Sequence, residues 1–125
     1  MILDTNAVSD LFAGNRDLAK QLSPSERHHL PIFVIGEYRY GLTGSRARGE
    51  LEALLERLER ESVILYPDRT TTVHYAAVRH RLRVTGSPMP ENDVWIAALA
   101  VQHELPIVTR DRHFDFVEGV TRIDW

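Results

Sequence analysis

The chain has 125 residues and no cysteine, which removes disulfides and thiolate metal sites from consideration. Any bound metal would have to be held by oxygen or imidazole ligands. Lysine is almost missing as well: Lys20 stands alone against fourteen arginines. Arginine grips phosphate in a planar, bidentate way, although a GC-rich genome produces the same bias. No long apolar run is present. The longest, Val94 to Val101, has eight residues, far below the roughly 20 that a membrane-spanning helix needs. The start, Met1-Ile2-Leu3-Asp4, has no basic region leading into an apolar stretch, so no secretory signal is expected. The net charge of −3 offers no broad basic surface for nucleic acid. A chain free of cysteine suits a reducing compartment, and a cytoplasmic location is the expectation.

The remaining composition is that of an ordinary globular protein, 43% hydrophobic and 26% charged. The length predicts one domain over 1–125 with a core large enough to need no staples. Strand-like and helix-like segments alternate. Strands are expected at Met1–Asp4, His28–Ile32, Ser62–Tyr66, Leu105–Thr109 and Val120–Asp124. Helices are expected over Asn6–Ala13, Asp17–Leu22, Val34–Leu42, Arg46–Glu61, Arg69–Val84 and Glu91–His103, with a turn or short helix at Arg112–Val117. In Arg46–Glu61 the leucines 51, 54, 55 and 58 follow the spacing of one helical face. Glu56 and Arg60 are an i, i+4 pair in the favourable order. In Arg69–Val84 the pattern turns Val73, Ala76, Ala77 and His80 inward. Five strands separated by helices imply a central parallel five-stranded sheet in a three-layer α/β/α arrangement, with right-handed crossovers.

Four carboxylates recur at corresponding places. Asp4 ends the first strand, Glu37 lies early in the helix after the second, Asp93 is in the first turn of Glu91–His103, and Asp111 follows the fourth strand. Taken singly, each has an ordinary role. Asp93 reads as a helix cap or dipole partner, Glu37 as a solvated surface residue, and Asp111 as a turn residue. Only Asp4 resists that reading, because strand ends in open α/β sheets border the ligand crevice. Their conjunction points to chemistry. Clustered carboxylates repel by several kcal/mol when partly buried, so a fold retains them where a cation or protons neutralise them. An all-oxygen set suits Mg²⁺, with Mn²⁺ as a substitute, and such ions support phosphodiester hydrolysis.

Four blocks carry a resemblance: Leu3-Asp4-Thr5-Asn6, Glu37-Tyr38-Arg39-Tyr40-Gly41, Asn92-Asp93-Val94-Trp95-Ile96-Ala97-Ala98 and Val108-Thr109-Arg110-Asp111-Arg112-His113-Phe114. In that order and spacing the chain resembles the PIN domain, specifically the VapC-type toxins of bacterial toxin–antitoxin pairs. The resemblance implies a PIN-like fold and a Mg²⁺-dependent endoribonuclease neutralised by a cognate antitoxin protein, with a homodimer as the expected assembly. It implies an acidic site of Asp4, Glu37, Asp93 and Asp111, with Thr109 as the hydroxyl beside it. Asp4 and Asp93 would be direct metal ligands, Glu37 and Asp111 direct or water-mediated ones. Thr5 and Asn6 would hold the loop around Asp4, and Asp115 would be an extra acid. Tyr38, Tyr40 and Leu42 are expected to offer apolar surface for a partner.

Three other classes compete with this reading. A receiver-like phosphorylation switch needs paired acids after the first strand and a lysine near the last. Here Thr5-Asn6 follow Asp4, Asp68 is the only mimic of the acceptor, and Lys20 is far from any strand end. A haloacid-dehalogenase-type phosphatase would need an aspartate where Asn6 stands. A non-catalytic interaction module is the remaining alternative. The histidines lack ligand spacing: His28, His29 and His80 read as satisfied structural residues, while His113 lies close enough to Asp111 to touch substrate.

Overall fold

The computed structural model describes residues 1–125. The strands are β1 (Ile2–Leu3), β2 (His29–Pro31), β3 (Val63–Leu65), β4 (Ile107–Val108) and β5 (Arg122–Ile123). The helices are α1 (Thr5–Phe12), α2 (Arg16–Gln21), α3 (Ile32–Leu42), α4 (Arg48–Glu61), α5 (Arg69–Thr85) and α6 (Glu91–His103), with a 3-10 turn at Arg112–Phe116. All five strands are parallel, in the order β3-β2-β1-β4-β5. The sheet therefore grows in one direction from β1 to β3 and then resumes on the other side of β1 with β4. The topological switch point lies between β1 and β4, where Ile2 pairs with Ile107 and Leu3 with Val108.

The strands are shorter than the sequence suggests, and burial is complete only at the centre of the sheet, the edge strands β3 and β5 being partly exposed. Ile2, Leu3, Leu30, Ile107 and Val108 are fully buried, as central strands of a parallel sheet must be. Most of α6 joins them: Val94 and the run Ile96 to Ala100 are buried. One continuous core results, extending through Val8, Leu18, Val34, Leu55, Leu82 and Phe114. Between β2 and α3 there is no loop. Pro31 is both the last strand residue and the N-cap of α3; it needs no ladder N–H and its fixed φ suits a helix entrance.

The helix faces correct several expectations. On α5, Val73 is 67% exposed, and Ala76, Ala77 and His80 also face solvent. The buried stripe is Thr71, Val78 and Leu82. A polar residue anchors it. Thr71 completes a capping box with Asp68, and its hydroxyl lies 2.5 Å from Gln102 Oε1 on α6. Hydropathy counting passes over a buried threonine and so turns the helix by the wrong angle. On α4, Leu55 and Leu58 are buried while Leu54 is 39% exposed. Instead of a Glu56–Arg60 pair, Arg57 binds Glu61 at 2.9 Å, and Arg39 of α3 bridges Glu52 and Glu59 at 2.6 and 2.7 Å.

On α3 the stripe Val34, Tyr38 and Leu42 points inward, Tyr38 meeting Phe12 edge-on at 5.5 Å, so only Tyr40 stays exposed. His28 and His29 are not satisfied as expected. Each has a buried Nδ1 without a hydrogen-bond partner. Burial, aided by the nearby N-terminal amine, pushes both imidazoles below the usual histidine range.

The revised α5 face is testable by chemical denaturation. Leu82→Ala should cost about 2–5 kcal/mol, whereas Val73→Ala should stay within about 0.5 kcal/mol of the parent.

Candidate active site

The switch point is where the carboxylates gather. Asp4 follows β1 and caps α1: its Oδ1 accepts the Thr5 N–H at 2.8 Å. Its Oδ2 accepts the Thr109 hydroxyl at 2.7 Å and the Asn6 side-chain amide at 3.0 Å. Thr109, fully buried just past β4, is a junction. While donating to Asp4 it accepts from Asn6 Nδ2 at 2.9 Å and from the Asp111 N–H at 3.0 Å. The amide of Asn6 is fixed in turn, because its Oδ1 accepts the Arg110 N–H at 3.2 Å. The ends of β1 and β4 are thus laced together around one carboxylate.

The other acids approach from three further elements. Glu37 on α3 accepts the Thr5 hydroxyl at 2.9 Å. Asp111 caps the 3-10 turn by accepting the His113 N–H at 2.9 Å, and the His113 ring Nδ1 lies 2.7 Å from the same oxygen. Asp93, in the first turn of α6, caps nothing and has no hydrogen-bond donor. Burial pushes its carboxyl up to about 7, and the charges of Asp4, Asp111 and Glu37 push in the same direction, with His113 opposing. Asp4 is also raised, first by burial, with Glu37 and Asp111 adding to it against the hydrogen bonds from Thr109 and Thr5. The fold therefore brings Asp4, Glu37, Asp93, Asp111 and Thr109 into one electrostatic unit.

Asp115 is not part of that unit. Its carboxylate is matched to Arg122 at 2.7 Å, and Arg122 also binds Asp124 at 2.7 Å and the Thr109 carbonyl at 3.2 Å. His113 is an anchor for Asp111. A further cluster escapes sequence inspection altogether: Asp10 on α1 accepts from Asn15 at 3.0 Å and from the Trp125 indole at 2.9 Å, and pairs with Arg110. The Arg110 guanidinium lies 4.9 Å from the centre of the Trp125 ring. No spacing rule joins residues this far apart in the chain. Their effect is to engage Arg110, a sequence neighbour of Asp111, with Asp10 and not with the acidic site.

The donor set fits a hard divalent cation. Every ligand on offer is oxygen, neither Arg110 nor Arg122 compensates the carboxylates, and Oδ1 of Asp4 retains one acceptor direction. No group of three or more His, Asp or Glu side chains is arranged to hold a metal ion in this structure.

The model of the PIN domain matches residues 1–120. The chain belongs to the PIN domain family. Among relatives of this PIN domain, Ribonuclease VapC1 of Haemophilus influenzae is 26% identical over 99% of this chain and 96% of its own. Ribonuclease VapC5 of Mycobacterium tuberculosis is 27% identical over 98% and 91%. A crystal structure of VapBC-5 from M. tuberculosis, a member of the VapBC family of toxin–antitoxin systems, superposes with a TM-score of 0.77 at 25% identity, covering 99% of this chain and 97% of that one.

Asp93 carries a pH signature. Its folded value of about 7 lies above the ordinary 3.8, so between these values the folded state binds more protons than the unfolded one. Its contribution to stability is then fully present below about pH 4 and lost as pH rises to about 7. In EDTA, the melting temperature of the parent should fall across that window, and that of Asp93→Asn should fall less. Parallel curves would place the titration elsewhere.

Proposed function

We propose that this PIN domain is a metal-dependent endoribonuclease toxin that hydrolyses RNA phosphodiester bonds and is neutralised by a cognate antitoxin. The observation that carries the reading is a set of four carboxylates near the switch point with no ion pair to a lysine or arginine, Asp4 and Asp93 both pushed up by burial and then by the charges of the others. The relatives named ribonuclease VapC1 and VapC5 support RNA as the substrate. The VapBC-5 structure supports a protein partner.

Asp4, Glu37, Asp93 and Asp111 are assigned as the catalytic acids and as the metal-holding set. Asp4 and Asp93 would hold the ion directly, and Glu37 and Asp111 directly or through water. A Mg²⁺ ion held there, or Mn²⁺ in its place, would activate a water and stabilise charge on the phosphate and leaving oxygens. The remaining work belongs to the chain. Thr109 and Asn6 fix the carboxylate plane of Asp4, so Thr109 acts as a positioning residue. The Thr5 hydroxyl orients Glu37, and His113 orients Asp111 for proton transfer. The half-buried setting of Asp93 limits the water that competes for it.

The antitoxin is proposed to set an arginine among the carboxylates, exchanging the metal's charge for charge-assisted hydrogen bonds. A homodimer is the proposed assembly, with exposed Tyr40 the part of the expected apolar surface that remains available. No helix is long and apolar enough to cross a membrane. The cytoplasm is the proposed location, in keeping with the lack of cysteine. The single-domain reading of 1–125 rests on one sheet and one core.

Purified protein should cut RNA in Mg²⁺ or Mn²⁺ and stop in EDTA; cleavage indifferent to EDTA would overturn the metal-dependent mechanism. Asp4→Asn and Asp93→Asn should each lower the rate by about 100-fold or more. In growing cells, expression should slow growth, and co-expression of the antitoxin should reverse it.

Thr109 offers a finer test of positioning. Thr109→Ser keeps the hydroxyl and should stay within about threefold of the parent, while Thr109→Val should lose about 10–100-fold. Equal activity of the two variants would show that the hydroxyl does not orient Asp4.

A further inference from the structure

On α6 one large side chain breaks the pattern. Val94 and Ile96 to Ala100 are buried in the core, whereas Trp95 is only half-buried and lies outside the set of half-buried apolar side chains that pack on that core. It lies in a row of rings whose other two members, Phe33 and Tyr75, do pack on that core. Tyr75 of α5 stacks on it with centroids 3.9 Å apart and planes 19° from parallel, and Phe33 of α3 lies on it at 6.0 Å and 15°. The row is closed at the tyrosine end. The Arg79 guanidinium is 5.7 Å from the Tyr75 ring centre, and Arg79 and Glu91 both hydrogen-bond the Tyr75 hydroxyl and pair with each other. At the other end Phe33 has no further aromatic or cationic partner.

The row reaches the acidic site through α3, where Phe33 is one turn before Glu37 on the same side of the helix; on α6, Trp95 and Asp93 are two positions apart and point to different sides. Near-parallel, half-buried rings that end one helical turn from Glu37 have the form of a stacking wall for unpaired bases, which protein aromatics and guanidinium planes bind through their π-faces.

We propose that a nucleobase of the RNA substrate next to the scissile phosphate stacks on the Phe33 end of the Phe33–Trp95–Tyr75 row and so sets where the strand lies across the carboxylates. This rests on the ribonuclease reading above. It makes Phe33 a substrate-binding residue and Trp95, Tyr75 and Arg79 its support. The preference it creates is for single-stranded RNA, because a paired base has no free face to offer.

The test uses the full-length chain and a short fluorogenic oligoribonucleotide, with the same oligomer lacking one base beside the cut as a second substrate. Phe33→Leu should raise KM about tenfold, about the loss of one stacked base, with kcat within about threefold, and Phe33→Tyr should restore KM. Removing the flanking base should raise KM for the parent and change nothing further in Phe33→Leu. An unchanged KM in Phe33→Leu, or a fall confined to kcat, would overturn the proposal. Should Phe33→Leu fail to fold, fluorescence decides. In a Trp125→Phe chain Trp95 is the sole tryptophan, and saturating RNA in EDTA should change its emission more than the base-deleted oligomer does. Equal or absent changes would overturn the stack. If the parent leaves RNA intact in both Mg²⁺ and Mn²⁺, the nuclease reading fails, and the fluorescence arm still decides whether the row binds bases.

Discussion

The hydroxyl of Thr109 is the contact on which the rest of the site depends. It donates to Asp4 at 2.7 Å while receiving Asn6 and the Asp111 amide. A hydroxyl has one proton to give and two lone pairs to fill, and here all three are in use. Since β1 and β4 are neighbours only because the sheet reverses its direction of growth at that point, this one side chain converts a topological accident into a chemical location. Without it the ends of two strands would be adjacent but not oriented.

Stability is set against function in the same few residues. Buried carboxylates without counter-charges weaken a fold, and nearby arginines could have relieved them. The chain directs those arginines elsewhere. Arg110 goes to Asp10 beneath Trp125, and Arg122 goes to Asp115 and Asp124. The deficit of positive charge is therefore maintained by outward-facing ion pairs around the site. Under the proposed function, a divalent cation or a basic side chain from the antitoxin would meet the same unfilled demand, so activation and inhibition would compete for one place.

Much of this was legible in the sequence. Asp4 after Met1-Ile2-Leu3, the alternation of short apolar runs with helices, and the recurrence of acids past those runs are local signals, and local signals survive in one dimension. The positions of the carboxylates followed from them. The details that did not follow depend on contacts between distant segments. Thr71 is buried because Asp68 and Gln102 satisfy it, and this rotates α5 so that Val73 faces water. Arg39 draws Glu52 and Glu59 across to α3, leaving Glu56 and Arg60 without the pairing that their spacing favours. Asp10 collects partners from both ends of the chain.

The joint at Pro31 has a mechanical meaning. A loop between a strand and its helix is ordinarily where a site acquires play, since a few free torsions let one side chain shift while the scaffold stays still. Here α3 leaves the sheet with no such hinge, and Arg39 fastens it to α4 as well. The backbone at Glu37 can then shift only if the whole helix moves, carrying Phe33 with it. An acid and an aromatic ring on one rigid lever must advance or withdraw together, so whatever tilts α3 would alter the charge at the site and the wall beside it in a single stroke.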